Sequence, residues 1–219
     1  MGGVFITIEG VEGAGKSTQL QRLETALGSL PTVFSREPGG TALGREIRSL
    51  LLAPHASGET WCPQSELLLF YADRAQHVAK VLRPALEAGK IVVVDRFADS
   101  TRAYQGASGV DDGTLKALQD LVLGDFRPDL TLVLDMDPTR SLARVKARNA
   151  ALGDTFTETR FDDAALRFHQ RVREIFTAIA QEEPRRVRLI DAEGSADEVF
   201  ARLWAEVRPV LARAGFSVA

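Results

Sequence analysis

Cysteine is nearly absent from this chain of 219 residues: Cys62 stands alone. That excludes an internal disulfide and any zinc site built on cysteine pairs. Histidine is scarce too, and His55, His77 and His169 show no ligand spacing. Neither sign of charge dominates. The formal net charge is −3, so there is no overall basic field and a nucleic-acid polymer is not an expected partner. No segment approaches the roughly 18 consecutive apolar residues of a membrane span, and no basic stretch followed by an apolar run opens the chain, so neither a membrane anchor nor an export signal is expected. Those absences point to a globular, cytoplasmic protein. Its 45% hydrophobic content suffices for one sizeable core.

What is present alternates. "VFITIE" (Val4 to Glu9) is apolar on both faces, as a strand covered on both sides requires. From Lys16 to Leu30 the period changes, and Leu20, Leu23, Leu27 and Leu30 share one helical face. "TVFSRE" reads as a second strand ended by "PGGT", whose proline and glycines mark a turn. The next helix is expected to carry Leu43, Ile47, Leu50 and Leu51 inward, and a longer one from Glu66 to Leu86 to bend or break near Pro84. "GKIVVVDR" is the clearest strand. A short polar helix from Ser100 to Gln105 follows, then one with Leu115, Leu118, Leu121 and Val122 in register.

The second half repeats the alternation: strand "LTLVLD", a helix opening at Pro138, a small polar stretch from Ala150 to Thr159, and a helix resuming near Asp162 with Leu166, Val172, Ile175, Phe176 and Ile179. "RVRLID" makes a fifth strand, and Ser195 is placed to cap a final helix bearing Val199, Leu203, Val207 and Leu211. This order predicts an α/β fold: a doubly wound, five-stranded parallel sheet flanked by helices. No linker or repeat divides residues 1–219, so a single domain is expected. Ligands of such sheets sit beyond the carboxyl ends of the strands, where Glu9, Arg36, Asp95 and Asp135 fall.

Gly10, Gly15, Lys16 and Ser17 fit G-x-x-x-x-G-K-[ST] directly after a strand and before a helix. Val11, Glu12, Gly13, Ala14 and Thr18 complete the stretch "GVEGAGKST". Its glycines let backbone N–H groups turn in around phosphate oxygens, and the helix adds its positive end. Lys16 supplies a cation for the β- and γ-phosphates, and the Ser17 hydroxyl suits Mg²⁺. The pattern predicts a P-loop NTPase fold that binds a nucleoside triphosphate. The guanine-reading string N-K-x-D of a GTPase switch does not occur.

"REPGGT" (Arg36 to Thr41), "LLLFYADR" (Leu67 to Arg74) and "DRFADSTRAYQG" (Asp95 to Gly106), taken with "GVEGAGKST", resemble bacterial thymidylate kinases. The four strings recur in the family's order, and the layout agrees along nearly the whole chain. The resemblance implies phosphorylation of dTMP to dTDP by ATP–Mg²⁺, on the way to dTTP, by a homodimeric nucleoside monophosphate kinase. By that resemblance Phe70 stacks on thymine and Arg74 donates to its O4, which disfavours cytosine because an amino group there is itself a donor. Arg96 and Arg48 hold the acceptor phosphate, since a guanidinium can bond two oxygens at once. Asp95 sits near Mg²⁺ and its waters. Glu37 and Pro38 belong to the acceptor side. Ser100, Thr101, Tyr104 and Gln105 line base and sugar, Tyr104 crowding a 2′-hydroxyl, and Glu12 approaches the 3′-hydroxyl.

A polar lid spanning about residues 144–161 is implied as well. Gly13 stands where another class of the family carries arginine, so this chain matches the class whose lid supplies the cation. Arg160 is the first candidate, with Arg144 and Arg148 as rivals; here the usual Asp-Arg order is replaced by "TETRFDD". Two other readings stay open at this point. A deoxynucleoside kinase would need a carboxylate base, Asp95 or Glu37, for a neutral 5′-hydroxyl. A P-loop switch would hydrolyse nucleotide slowly without an acceptor.

Overall fold

The computed structural model describes residues 2–53, 57–152 and 166–217. The strands are β1 (Val4–Gly10), β2 (Thr32–Arg36), β3 (Ile91–Asp95), β4 (Leu130–Asp135) and β5 (Val187–Asp191), all pairing in parallel in the order β2-β3-β1-β4-β5. The expected five-stranded sheet is therefore observed. Winding reverses as the chain passes from β3 to β4 on either side of β1, and a crevice opens at that point above the strand ends.

Alternation along the strands separates two cores. Val4, Ile6 and Ile8, with Ile91 and Val93, face a large cluster that takes in α1 (Lys16–Leu27), α8 (Leu166–Glu182) and α9 (Ala196–Arg213). Phe5, Val92 and Val94 face the opposite way, against Phe97, Val78 and Leu82. Thr7 and Glu9 share that second face and are fully buried. Thr7 is paired with the Thr131 hydroxyl at 2.8 Å, so the burial cost of both hydroxyls is met.

Helix ends follow the expected chemistry. Ser195 accepts from the Glu198 N–H while Glu198 accepts from the Ser195 N–H, a full capping box for α9. Val199, Leu203, Val207 and Leu211 are all buried beneath it, each contributing about 1.5–3 kcal/mol relative to exposure. The Thr41 hydroxyl caps α2 (Ala42–Leu52) through the Gly44 N–H, and Asp111 caps α6 (Asp112–Leu123) through the Thr114 N–H.

Two expectations need correction. Of the four α2 positions expected inward only Leu51 is buried; Leu43 and Leu50 are exposed, because the helix sets its buried Gly44 face against Asp73 of α3 (Pro63–His77). Leu121 of α6 is likewise turned outward, as is Leu68 of α3, and Leu166 of α8 is partly so. The long helix does not wait for Pro84 to break. It widens into a π-helical turn at Val78–Leu82 and resumes as α4 (Arg83–Glu87), with Pro84 in the first turn where its missing N–H is harmless. The remaining helices are α5 (Ala98–Ala107) and α7 (Pro138–Leu152).

Candidate functional site

Above the strand ends lies a cavity of about 510 Å³. Its walls come from the loop joining β1 to α1, from the turns after β2 and β3, from α3 and α5, and from α7. In register, Arg36 pairs with Asp95 and Asp95 with Ile8, so the strands end level and their following turns meet over β1.

The loop is shaped by glycines where nothing else fits. At Gly10, φ is 130° and a Cβ would lie 2.5 Å from the Leu134 carbonyl oxygen. At Gly13, φ is 77° and a Cβ would lie 2.2 Å from the Ser141 carbonyl oxygen of α7. Position 13 therefore cannot carry a cation, and a basic group for that side of the cavity has to come from elsewhere. Arg144 and Arg148 of α7 line it. Val11 and Ala14 turn into the core and offer only backbone. Lys16 donates from Nζ to the Gly10 and Val11 carbonyls, each at 3.0 Å. Burial and the nearby Arg96 lower its pKa to about 8, against the pull of Asp95, Glu12 and Glu9. Ser17 and Thr18 are exposed on the cavity wall.

Facing the loop stands Arg96, a non-glycine residue with φ 68° at the end of β3. The backbone pose is held by its N–H on the Ile8 carbonyl at 3.0 Å. Its side chain donates from Nη1 to Gly10 O and Ser100 Oγ, both at 3.1 Å, and from Nη2 to Glu12 Oε1 at 2.7 Å, with the Tyr104 ring 4.9 Å from its centre. Glu12 also accepts the Tyr104 hydroxyl at 2.7 Å. Burial pushes its carboxyl up, but the Arg96 guanidinium, His169, Lys16 and Tyr104 outweigh that and hold it well below the usual carboxylate range. Burial and the Glu12 carboxylate place the Tyr104 phenol well above its ordinary value, against the pull of Arg96. Glu12 is thus a paired anion in a wall, and not a loop charge in water.

Arg74 is almost fully buried. Nε donates to Glu37 Oε2 at 2.8 Å and Nη2 donates to the Phe97 carbonyl and the Thr101 hydroxyl, while Nη1 has no partner among the described residues. Phe70 is half-buried on the same wall. Arg48 donates to the Pro38 carbonyl at 3.0 Å, and the Glu37–Pro38 peptide is cis. Gln105 donates to Glu66 at 2.8 Å. Asp95 keeps Oδ1 buried without a hydrogen-bond partner among the described residues.

The structure thus brings Glu12, Gly13, Gly15, Lys16, Ser17, Thr18, Glu37, Pro38, Arg48, Phe70, Arg74, Asp95, Arg96, Ser100, Thr101, Tyr104, Gln105, Arg144 and Arg148 to one cavity. Arg160, and the lid beyond residue 152, lie outside the described residues. Sequence reasoning placed Glu9 at the ligand end of its strand without seeing its part as a buried support, and missed His169. Glu9 accepts the Phe97 N–H at 2.7 Å and the Ser100 hydroxyl, and burial with the Asp99 charge raises its pKa to about 7. His169 of α8 is fully buried with Nδ1 3.5 Å from Glu12 Oε2. Leu52 and Val145 add apolar wall. Only "IEG", an acid closing an otherwise apolar strand, hinted at Glu9; His169 carries no local signal. Among the described residues no cluster of three or more His, Cys, Asp or Glu is arranged to hold a metal, and no helix is long and apolar enough to cross a membrane.

Known proteins share this sequence pattern and this fold. The family model described as Thymidylate kinase matches residues 8–203. The thymidylate kinase of Syntrophotalea carbinolica is 48% identical over 203 residues, covering 91% of this chain and 93% of the relative. That of Desulfovibrio desulfuricans is 46% identical over 216 residues, covering 97% and 98%. A crystal structure of thymidylate kinase from Ehrlichia chaffeensis superposes with a TM-score of 0.73 at 33% identity, covering 95% of this chain and 99% of that one.

Proposed function

The chain belongs to the thymidylate kinase family and transfers phosphate from ATP to dTMP; we propose that the residues of its cavity divide the reaction as follows. Backbone N–H groups from Gly10 to Thr18, with Lys16, cradle the donor phosphates at the positive end of α1. Arg144 and Arg148 face them from α7, the role that the crowding at Gly13 denies to the loop. On the acceptor side Arg96 and Arg48 grip the monophosphate, Phe70 stacks on the base and Arg74 donates to its 4-oxygen. Thr101, Gln105, Ser100, Glu37 and Pro38 complete that wall, Tyr104 blocks a 2′-hydroxyl, and Glu12 meets the sugar's 3′-hydroxyl.

One observation carries this reading: a single cavity is lined both by the phosphate loop and by Arg48, Phe70, Arg74 and Arg96. A nucleoside 5′-hydroxyl would bring no anion to the Arg48 and Arg96 guanidinium groups that line the cavity. A monophosphate oxygen is already anionic near neutral pH, so no residue has to remove a proton. Catalysis is then alignment and charge neutralisation of a loose phosphoryl transition state. Alignment alone is worth roughly 7–11 kcal/mol. Arg96 suits that task because four groups fix it before substrate arrives: Gly10 O, Ser100, Glu12 and the Tyr104 ring.

Magnesium fits the donor set. It takes few protein ligands and keeps several waters; the exposed Ser17 hydroxyl and the unpartnered Asp95 Oδ1 are of that kind. When bound it would neutralise phosphate charge. Residues 1–219 act as one nucleoside monophosphate kinase unit. The outward Leu43, Leu50, Leu68 and Leu121 of α2, α3 and α6 support a homodimer. The exposed free Cys62 is in keeping with a reducing cytoplasm.

The test is ADP release with ATP–Mg²⁺ and a panel of acceptors. dTMP should support turnover, and thymidine or no acceptor should not. Comparable turnover of thymidine would refute the acceptor assignment.

A further inference from the structure

His77 is buried, absent from the cavity wall, and committed on both ring nitrogens. Nδ1 lies 2.9 Å from Glu37 Oε1 and Nε2 lies 2.7 Å from the Ser35 hydroxyl. Because a carboxylate oxygen only accepts, Nδ1 carries the hydrogen of that bond. The other oxygen of Glu37 takes Arg74 Nε at 2.8 Å. The ring packs against Gly40, where a Cβ would come within 2.4 Å of it. Three segments are thereby joined in one chain of contacts: Ser35, next to last in β2, Glu37 in the turn after it, and α3 through its last residue, His77, and Arg74 one turn earlier. Beyond His77 the helix widens into its π-helical turn, a deformation that often accompanies functional positions.

We propose that His77 is a positioning residue for base selection: through Glu37 it fixes the Arg74 guanidinium so that its unpartnered Nη1 meets a 4-oxo pyrimidine. This rests on the reading above that Arg74 reads the base. Arg74 has its Nε and Nη2 spent on protein acceptors, and only Nη1 is left for a ligand. The direction of Nη1 is set by the plane of the guanidinium: the Phe97 carbonyl and the Thr101 hydroxyl hold that plane at Nη2, and Glu37 holds it at Nε, the end that His77 reaches. A carboxylate held at one oxygen alone can rotate; held at both, by Arg74 and by His77, it cannot without breaking a charge-assisted bond. Ser35 locks the ring in turn.

The experiment measures kcat and KM for dTMP and for dCMP in wild type, His77→Leu, His77→Asn, Ser35→Ala and Arg74→Gln, with melting temperatures for each. dTMP and dCMP share sugar and phosphate, so their ratio of kcat/KM cancels general damage to the fold and reports the base alone, its 4-substituent together with its 5-methyl group. His77→Leu should lower the dTMP:dCMP ratio about tenfold, the worth of one bond to a charged group, mostly through KM for dTMP. His77→Asn, whose amide N–H can replace Nδ1, should restore most of it. Ser35→Ala should lower the ratio about threefold, and it is the milder probe if His77→Leu does not fold. An unmoved ratio in the folded His77 and Ser35 variants, whatever their melting temperatures, overturns the proposal. If Arg74→Gln moves the ratio and those variants do not, the relay fails while Arg74 keeps its role. If Arg74→Gln leaves it unmoved, the reading of Arg74 falls first.

Discussion

Glu9 offers the sharpest test of the buried electrostatics. Its carboxyl is fully enclosed beside Asp99 and its pKa is raised from an ordinary 4.5 to about 7. A carboxylate with a raised folded pKa binds its proton more tightly in the native state. Native protein therefore takes up a proton before the unfolded chain does, and stability rises as pH falls from about 7 towards 4.5. The full difference corresponds to about 3 kcal/mol, of which roughly 1.4 kcal/mol falls between about pH 8 and pH 6. For a chain of this size that is a shift of about 3–4 °C in midpoint. Asp73, raised to about 6 by burial and the Glu37 charge, adds a smaller slope of the same sign, centred lower. Glu9→Gln removes the titration and keeps an acceptor for the Phe97 N–H, at the expense of the Ser100 hydroxyl bond. Thermal midpoints of both proteins, read across that pH window, should diverge: wild type gains stability on acidification and the variant stays nearly flat. Parallel curves would refute the reasoning.

Other outcomes follow from the same structure. Gly13→Ala combines a left-handed backbone with overlap on the Ser141 carbonyl, and should lose about 2–4 kcal/mol in urea unfolding; Gly15→Ala, with open space around it, should lose less, and equal losses would contradict the crowding. Lys16, depressed to about 8, should lose its charge as pH rises, so kcat/KM for ATP should fall above that value while kcat persists further; a profile flat to about pH 9.5 would contradict it. Leu43→Asp with Leu68→Asp should shift sedimentation from dimer to monomer, and a monomeric wild type would dispose of the interface.

How much of this could be read in the residues differs by element. Strands β1 and β3 and helix α9 were legible because one local pattern, an apolar run or a capped 3.6-residue period, matches what each buries. The phosphate loop was legible because its glycines answer local geometry. Leu43 and Leu50 misled because periodicity marks an apolar face without saying what covers it. Pro84 marked the region of the π-helical turn, which takes in the residue four before it, but not the residue at which the helix widens. Cavity residues could be placed from family strings, but their supports could not: Glu9 with Ser100, His169 with Glu12, and His77 with Ser35 are pairings between distant parts of the chain. Their partners exist only once the sheet has formed.

The left-handed backbone at Arg96 is a strain that its own side chain offsets. Any side chain there carries a penalty of about 1–2 kcal/mol that glycine would escape, but glycine would also leave the Glu12 carboxylate without its guanidinium partner at 2.7 Å, and breaking a buried pair costs roughly 3–5 kcal/mol. A library screened for thermal tolerance alone should therefore hold arginine at this position even where no growth requirement selects for turnover.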